Sequence, residues 1–205
     1  CLVAASEAPR AERRRLAAYN YQEVAKLTAA DAAANDYFGV SVAIDGTTIL
    51  VGAHYENSRR GAVYVFRTSD VGATYVEVAK LTASDAYGGD YFGVSVAIDG
   101  NTIVVGAHYE NSRRGAAYVF RTLDGGATYV ELAKLTASDA ATYDYFGVSV
   151  AIDGNTIAIG AYEDDSDRGA VYVFRTSDGG VTYGQVAKLT ASDAYSDDNF
   201  GISVA

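Results

Sequence analysis

The sequence predicts an all-β protein built from stacked, four-stranded antiparallel units, and three observations lead there. The segment Asp36-Tyr37-Phe38-Gly39-Val40-Ser41-Val42-Ala43-Ile44-Asp45-Gly46 returns almost unchanged at Asp90 and again at Asp144, a period of 54 residues. Each period holds four short runs rich in Val, Ile, Tyr and Phe, separated by Gly- and Asp-containing turns. The composition agrees: 21 Gly and 17 Tyr against one Pro and no Trp favour strands and turns over helices.

The elements follow in order within the first unit. Gly39 to Ile44 alternates small and β-branched residues, and Asp45-Gly46 turns the chain into the second strand, Thr48 to Val51. After the polar stretch that starts at His54 comes the third strand, Ala62 to Phe66. A turn then leads to the fourth, Tyr75 to Leu81, with Glu77 and Lys80 expected to face outward. Such strands cannot bury their faces singly and must stack on neighbours, which makes a propeller blade the natural unit. The expected fold is therefore a partial β-propeller with a 54-residue repeat.

The division of the chain follows. Residues 36–89, 90–143 and 144–197 are blades 1 to 3, and 198–205 is the first strand of a fourth blade, so the chain is expected to stop inside a repeat. Residues 19–35 are expected to hold a stray outer strand of a preceding blade, over Tyr21 to Ala29. Residues 1–18 differ in composition, being Ala-rich with Arg10, Arg13, Arg14 and Arg15, and read as a leader, linker or short helix; a lipid on Cys1 is one alternative and truncation another. Blades 1 and 2 differ at nine of 54 positions, so the units share one fold.

Each unit resembles an FG-GAP repeat, the blade of integrin alpha-chain propellers. The residues that carry the resemblance are Phe38-Gly39, Val51-Gly52-Ala53 and Gly61-Ala62-Val63-Tyr64-Val65-Phe66, with Phe92-Gly93 and Gly106-Ala107, then Phe146-Gly147 and Gly160-Ala161, in the later units. The family's usual proline is replaced by His54, His108 and Tyr162. The resemblance implies a seven-bladed ring, of which this chain supplies under half, so the remaining blades or self-association are expected partners. The segments Thr68 to Tyr75, Thr122 to Tyr129 and Thr176 to Tyr183 are in turn similar to Asp boxes, in which Asp70, Asp124 and Asp178 are expected to brace turns.

Composition also limits function. With 26 acidic against 16 basic residues the net charge is -10, which argues against nucleic acid as a partner. Cys1 is the only cysteine, so neither a disulfide within the chain nor a cysteine-based zinc site can form, and no run is apolar enough for a membrane span. In a propeller blade the loops from strand two to three and from strand four to the next blade share one rim. That rim is the candidate surface for a protein or carbohydrate ligand. It carries His54, Tyr55, Glu56, Asn57, Arg59 and Arg60, with the copies His108, Tyr109, Glu110, Asn111, Arg113 and Arg114. Asp85, Tyr87 and Asp90 lie on the adjoining loop.

In the third unit the same stretch becomes acidic. Glu163, Asp164, Asp165 and Asp167 are oxygen donors of the kind calcium takes, a candidate ion site, with a solvated acidic loop as the alternative. In integrin chains the calcium loop instead lies between strands one and two. Here that connection, as at Asp45-Gly46-Thr47, is too short to wrap an ion. No catalytic triad can be assembled, and no catalytic residue is assigned. Arg67, Arg121 and Arg175 recur once per unit, as do Tyr64, Tyr118 and Tyr172, which suits blade structure better than a catalytic pore. The resulting expectation is a non-catalytic recognition or adhesion scaffold, extracellular or at the cell surface. A fragment of a glycan-acting propeller hydrolase and a purely structural stalk are the alternatives.

Overall fold

A computed structural model of the chain describes residues 23–205. The leader or linker expected over 1–18, with Cys1, lies outside the described residues. Twelve strands form three four-stranded antiparallel sheets, each in sequence order. The first holds β1 (Val42–Asp45), β2 (Thr48–Ala53), β3 (Ala62–Arg67) and β4 (Val76–Leu81); the second holds β5 (Ser95–Asp99), β6 (Thr102–Ala107), β7 (Ala116–Arg121) and β8 (Val130–Leu135). The third holds β9 (Ser149–Asp153), β10 (Thr156–Ala161), β11 (Ala170–Arg175) and β12 (Gly184–Leu189). The inner strands β1, β5 and β9 contact one another in that order, so the sheets are successive blades of a partial β-propeller.

Burial explains which strands alternate. Strands β3 and β7 read as Ala-Val-Tyr-Val-Phe and Ala-Ala-Tyr-Val-Phe, apolar at every position, because both faces are covered by neighbouring elements. Blade 1 packs on blade 2 through Leu50, Val63 and Val65 against Ile103, Val105 and Tyr118, and blade 2 packs on blade 3 in the same way. The outer strands β4 and β8 alternate exposed and covered residues, as expected for an edge. A register shift between Val65 and Phe66, repeated in the other blades, lets the outer strand twist away.

Four expectations need correction. Glu77 does not point freely to solvent: its carboxylate accepts the Ala30 N–H at 2.8 Å, while Val76 and Val78 are exposed along with Lys80. Glu131 likewise accepts the Ser84 N–H at 2.8 Å, which ties blade 1's exit segment to blade 2's outer strand. No strand forms over residues 23–29, because an outer strand needs a third strand to pair with and each such strand here already has its own. Residues 200–205 hold only a single bridge, from Phe200 to Gly169. Finally, Asp45 pairs with Thr48, so the turn is made by Gly46 and Thr47, and only Gly46 takes positive φ. The Asp45 carboxylate is free to accept the Gly100 N–H of blade 2 at 2.7 Å.

The blades interlock at their glycines. Gly52, Gly106 and Gly160 sit where the backbone of the next blade crosses, and the crossing carbonyls of Gly93, Gly147 and Gly201 each accept a hydroxyl from Ser41, Ser95 and Ser149 at 2.8 Å. The loops between the third and fourth strands add a second tie. Asp124 accepts the N–H groups of Ala127 and Thr128 at 2.9 Å and the Thr128 hydroxyl at 2.6 Å. The Thr128 hydroxyl and N–H, with the Thr122 hydroxyl, hold that carboxyl far below its ordinary range. Asp70 is held at about 2 by the same contacts from Thr74 and Thr68. Arg67 donates to the Gly125 carbonyl in that loop of blade 2, and Arg121 to that of Gly179 in blade 3, so these arginines staple neighbouring blades.

Candidate functional site: a polar and aromatic rim

The loops from β2 to β3 and from β4 to β5 meet on one rim. In the stretch Glu56–Arg59 the backbone makes a single left-handed turn, with φ of 47°, 62° and 67° at Asn57, Ser58 and Arg59. Left-handed backbone costs an L residue about 1–2 kcal/mol, so three in a row require compensation. It comes from the neighbour: the Arg59 carbonyl accepts the N–H groups of Gly89 and Tyr91 at 3.1 and 3.0 Å, and the Arg60 carbonyl accepts that of Phe92 at 3.1 Å. The same turn recurs at Glu110–Arg113 and at Asp164–Asp167, docked on Tyr145 and Asn199.

Beneath each turn lies a partly buried polar knot. The Tyr118 hydroxyl donates to Asp85 at 2.8 Å, and Lys134 bridges Asp85 at 2.6 Å and Glu110 at 2.9 Å. Burial and the bond to Asp85 push the Tyr118 hydroxyl well above its ordinary pKa. Burial opposes charge on Lys134, but its bonds to Asp85 and Glu110 outweigh this and raise its pKa. Tyr64 with Asp31, Lys80 and Glu56 forms the blade 1 copy. Glu56 and Glu110 are thus committed to their own blades. We expect Tyr118→Phe, which leaves the carboxylate short of one donor, to cost about 1–2 kcal/mol in urea unfolding. An unchanged midpoint would show that the knot adds nothing to stability.

Across the knots runs a ladder of rings. Tyr37 lies 4.4 Å from Tyr55, His54 5.6 Å from Tyr91, Tyr91 5.8 Å from His108, and His108 5.9 Å from Tyr145, which stacks on Tyr162 at 5.3 Å. The expected site residues His54, Tyr55, His108 and Tyr109 are brought together here. Tyr37, Tyr91 and Tyr145, each the residue before Phe-Gly, were not foreseen as members; their signal was recurrence once per unit immediately before that motif. Arg59 lies over the Tyr55 ring at 5.1 Å, and Arg113 over Tyr109 at 4.9 Å and Tyr143 at 5.1 Å. Asn57, Asn111, Arg60 and Arg114 are exposed on the same turns. A cleft of about 370 Å³ between blades 1 and 2 is lined by Asp85, Tyr87, Asp90, Tyr109, Glu110 and Asn111. Within it Asp90 accepts the Tyr87 N–H at 2.7 Å, and burial raises its carboxyl pKa.

The histidines are held neutral. Burial lowers both, and His108 falls to about 4, with the charge of His54 a lesser cause. Their Nδ1 atoms are buried and meet no hydrogen-bond partner among the described residues. The folded state then binds fewer protons than the unfolded state between the ordinary value of 6.5 and about 4. Stability should fall across that window as pH drops, and no further from this source below it. Thermal unfolding of wild type and of His54→Phe, His108→Phe should diverge there, with the variant flatter; parallel curves would contradict the burial of neutral rings.

The acidic residues of blade 3 do not converge. Asp164 is buried, 4% exposed, and turns inward to the Tyr172 hydroxyl at 2.6 Å and Lys188 at 2.8 Å. Asp165 pairs with Arg168 at 3.0 Å. Asp167 and Glu163 join no cluster: among the described residues no three His, Cys, Asp or Glu side chains are placed to hold a metal. As placed here, the four carboxylates do not gather round one point.

Comparisons with known proteins agree with this architecture. A stretch of 132 residues is 35% identical to human integrin alpha-11, covering 56% of this chain and 11% of that protein, so the chain spans a small part of its relative's length. The crystal structure of Saccharomyces cerevisiae Sqt1 superposes with a TM-score of 0.51 over 77% of this chain and 37% of that one, at 11% identity, a likeness of fold alone. Matches to the FG-GAP repeat cover residues 21–66, 75–120, 129–174 and 183–205. The first three each run from an outer-strand sequence through the next blade's third strand, the span across which the blades interlock. With the same motif recurring at a fixed period on interlocked four-stranded blades, the chain belongs to the FG-GAP repeat family, as an integrin-alpha-like β-propeller repeat protein.

Proposed function

We propose that the protein is a non-catalytic recognition module acting outside the cell or at its surface, and that it binds a protein or carbohydrate ligand through the rim formed by the β2–β3 and β4–β5 loops and their repeats. The observation that carries this reading is the rim itself: left-handed turns docked on the next blade present half-exposed tyrosines, capped by arginines, at the same place in consecutive blades. Tyr and Arg on a rigid support are the residue types that dominate binding energy at interfaces. The similarity to an integrin alpha chain supports a ligand of this kind.

Against a hydrolase, Asp70, Asp124 and Asp178 are bonded into their own loops, and Arg67 and Arg121 are spent on neighbouring carbonyls. Among the described residues no helix is long and apolar enough to cross a membrane. The test is a panel of immobilised extracellular-matrix proteins and glycans probed with wild type, Tyr55→Ala, Tyr109→Ala and an outer-strand variant, Val130→Thr. At least tenfold weaker binding for the rim variant alone is expected. Binding that depends on Val130 and ignores the rim, or no binding at all, would overturn the reading.

A further inference from the structure

Almost every basic side chain in the blades has a structural partner. Lys80, Lys134 and Lys188 are each held by two carboxylates, and Arg168 by Asp165. Arg67 and Arg121 reach backbone carbonyls of the next blade, and Arg175 reaches the Thr156 hydroxyl. Four arginines break this pattern. In a chain with 26 acidic and 16 basic residues, Arg59, Arg60, Arg113 and Arg114 pair with no carboxylate among the described residues. All four stand on the rim.

The geometry points to a binding site for an acidic polysaccharide on the rim of blades 1 and 2, with Arg59, Arg60, Arg113 and Arg114 as its anion-binding residues; this rests on the rim being the recognition surface. Arg59 and Arg113 lie over the Tyr55 and Tyr109 rings, 5.1 and 4.9 Å from their centroids. That contact limits the freedom of each guanidinium, whose N–H donors suit a carboxylate or sulfate. The left-handed turn beneath them fixes the two arginines of a blade relative to its neighbour, since their own carbonyls accept the hydrogen bonds that dock the next blade.

The repetition selects the ligand. Blades 1 and 2 carry the same Arg-Arg pair in the same turn, one copy per repeat, so a ligand with regularly spaced charge can occupy both with the same contacts. A linear polysaccharide with an acidic group on successive sugars has that regularity. A folded acidic protein surface does not, and Asn57 and Asn111 beside the arginines supply amide donors and acceptors suited to sugar hydroxyls. The site ends at blade 3, where Asp165 and Asp167 stand in place of Asn111 and Arg113, and Arg168 is neutralised by Asp165. The net charge of -10 repels a polyanion at long range, so binding must come from close contacts and weaken steeply with salt.

Calorimetry of the whole chain with heparin oligosaccharide, polygalacturonate, uncharged dextran and poly-L-glutamate separates the cases. Expected are salt-sensitive binding of one or both acidic polysaccharides and none of dextran. In Arg59→Gln, Arg113→Gln the affinity should fall at least tenfold, and Arg59→Lys, Arg113→Lys should fall between the two, because charge is kept and the planar fork is lost. Matching circular dichroism and unfolding midpoints would confirm that the variants fold. No binding at low salt, an unchanged affinity in the glutamine variant, or tighter binding of poly-L-glutamate than of either polysaccharide would overturn the inference, the last in favour of an acidic protein partner. If the polysaccharides fail while a matrix protein still binds through Tyr55 and Tyr109, this inference falls and the recognition reading stands; if nothing binds, both fall.

Discussion

Replacing Gly106 with alanine is expected to destabilise the protein by about 3 kcal/mol or more, an effect large for so small a change. The added methyl would lie 1.9 Å from the Gly147 carbonyl oxygen and 2.3 Å from the Ser95 hydroxyl. Neither can retreat cheaply. The hydroxyl donates to that same carbonyl at 2.8 Å, and the Gly147 N–H is bonded to the Gly160 carbonyl at 2.9 Å, so the crossing backbone is fixed from both ends. Relief requires blade 3 to move off blade 2 and open the core between them. Gly100→Ala is the control: its φ of +55° strains any side chain, but nothing lies within 4 Å of the new methyl. That variant should lose only about 1–2 kcal/mol, the local cost of left-handed backbone. Urea unfolding of both, followed by circular dichroism, decides the matter. A Gly106→Ala midpoint no lower than that of Gly100→Ala would mean that the blades are not interlocked at the glycine crossing.

Strand order was legible because period-2 alternation, Gly-containing turns and a fixed 54-residue repeat all speak locally. What holds one blade to the next was not, because it joins residues far apart in the sequence. Ser41 reaches the Gly93 carbonyl, Asp45 the Gly100 N–H and Arg67 the Gly125 carbonyl, each link being one blade long. A separation of 47 residues likewise hid the partner of Glu77, which is the exit segment of the preceding unit. Strands were also expected over Tyr21 to Ala29 and Phe200 to Ala205 from sequence likeness to true strands. A strand exists only where a neighbour completes its ladder, and likeness of sequence does not supply that neighbour.

The site divides similarly. That the β2–β3 and β4–β5 loops share a rim follows from blade topology, and His54, Tyr55, His108 and Tyr109 do meet there. Their partners Tyr91 and Tyr145 come from the next blade's entry loop, beside a Phe-Gly motif whose buried phenylalanine drew attention from the tyrosine before it. The acidic stretch of blade 3 looked like a metal site because sequence lists donors without directions. Asp164 occupies the place of Glu110 but is one carbon shorter, and it turns into the knot to bond Tyr172 as well as Lys188. Its Oδ2 is thereby engaged by a hydroxyl and an ammonium within its own blade.

That buried phenylalanine should show how much of the stability resides between blades. Phe146 is fully buried, with Tyr172 at 5.4 Å and Phe174 at 6.0 Å on its own blade, and it shares a cluster with Val104, Val119 and Leu135 of blade 2. Phe92 has the same setting, against Tyr118 at 5.5 Å and Phe120 at 5.9 Å. Phe200 is bridged to Gly169 of blade 3 but has no Tyr-Val-Phe strand of its own among the described residues, and it stays 38% exposed. Truncating a fully buried ring to alanine removes its transfer free energy and leaves a cavity, so Phe92→Ala and Phe146→Ala should each lose about 4 kcal/mol. Phe200→Ala, with contacts on one side only, should lose about 1 kcal/mol. If all three lost the same amount in urea unfolding, the ring would be stabilising its own Phe-Gly turn rather than wedging two blades together. The predicted gradient instead assigns the energy to the layer between sheets, as expected where each repeat is stable only against its neighbours.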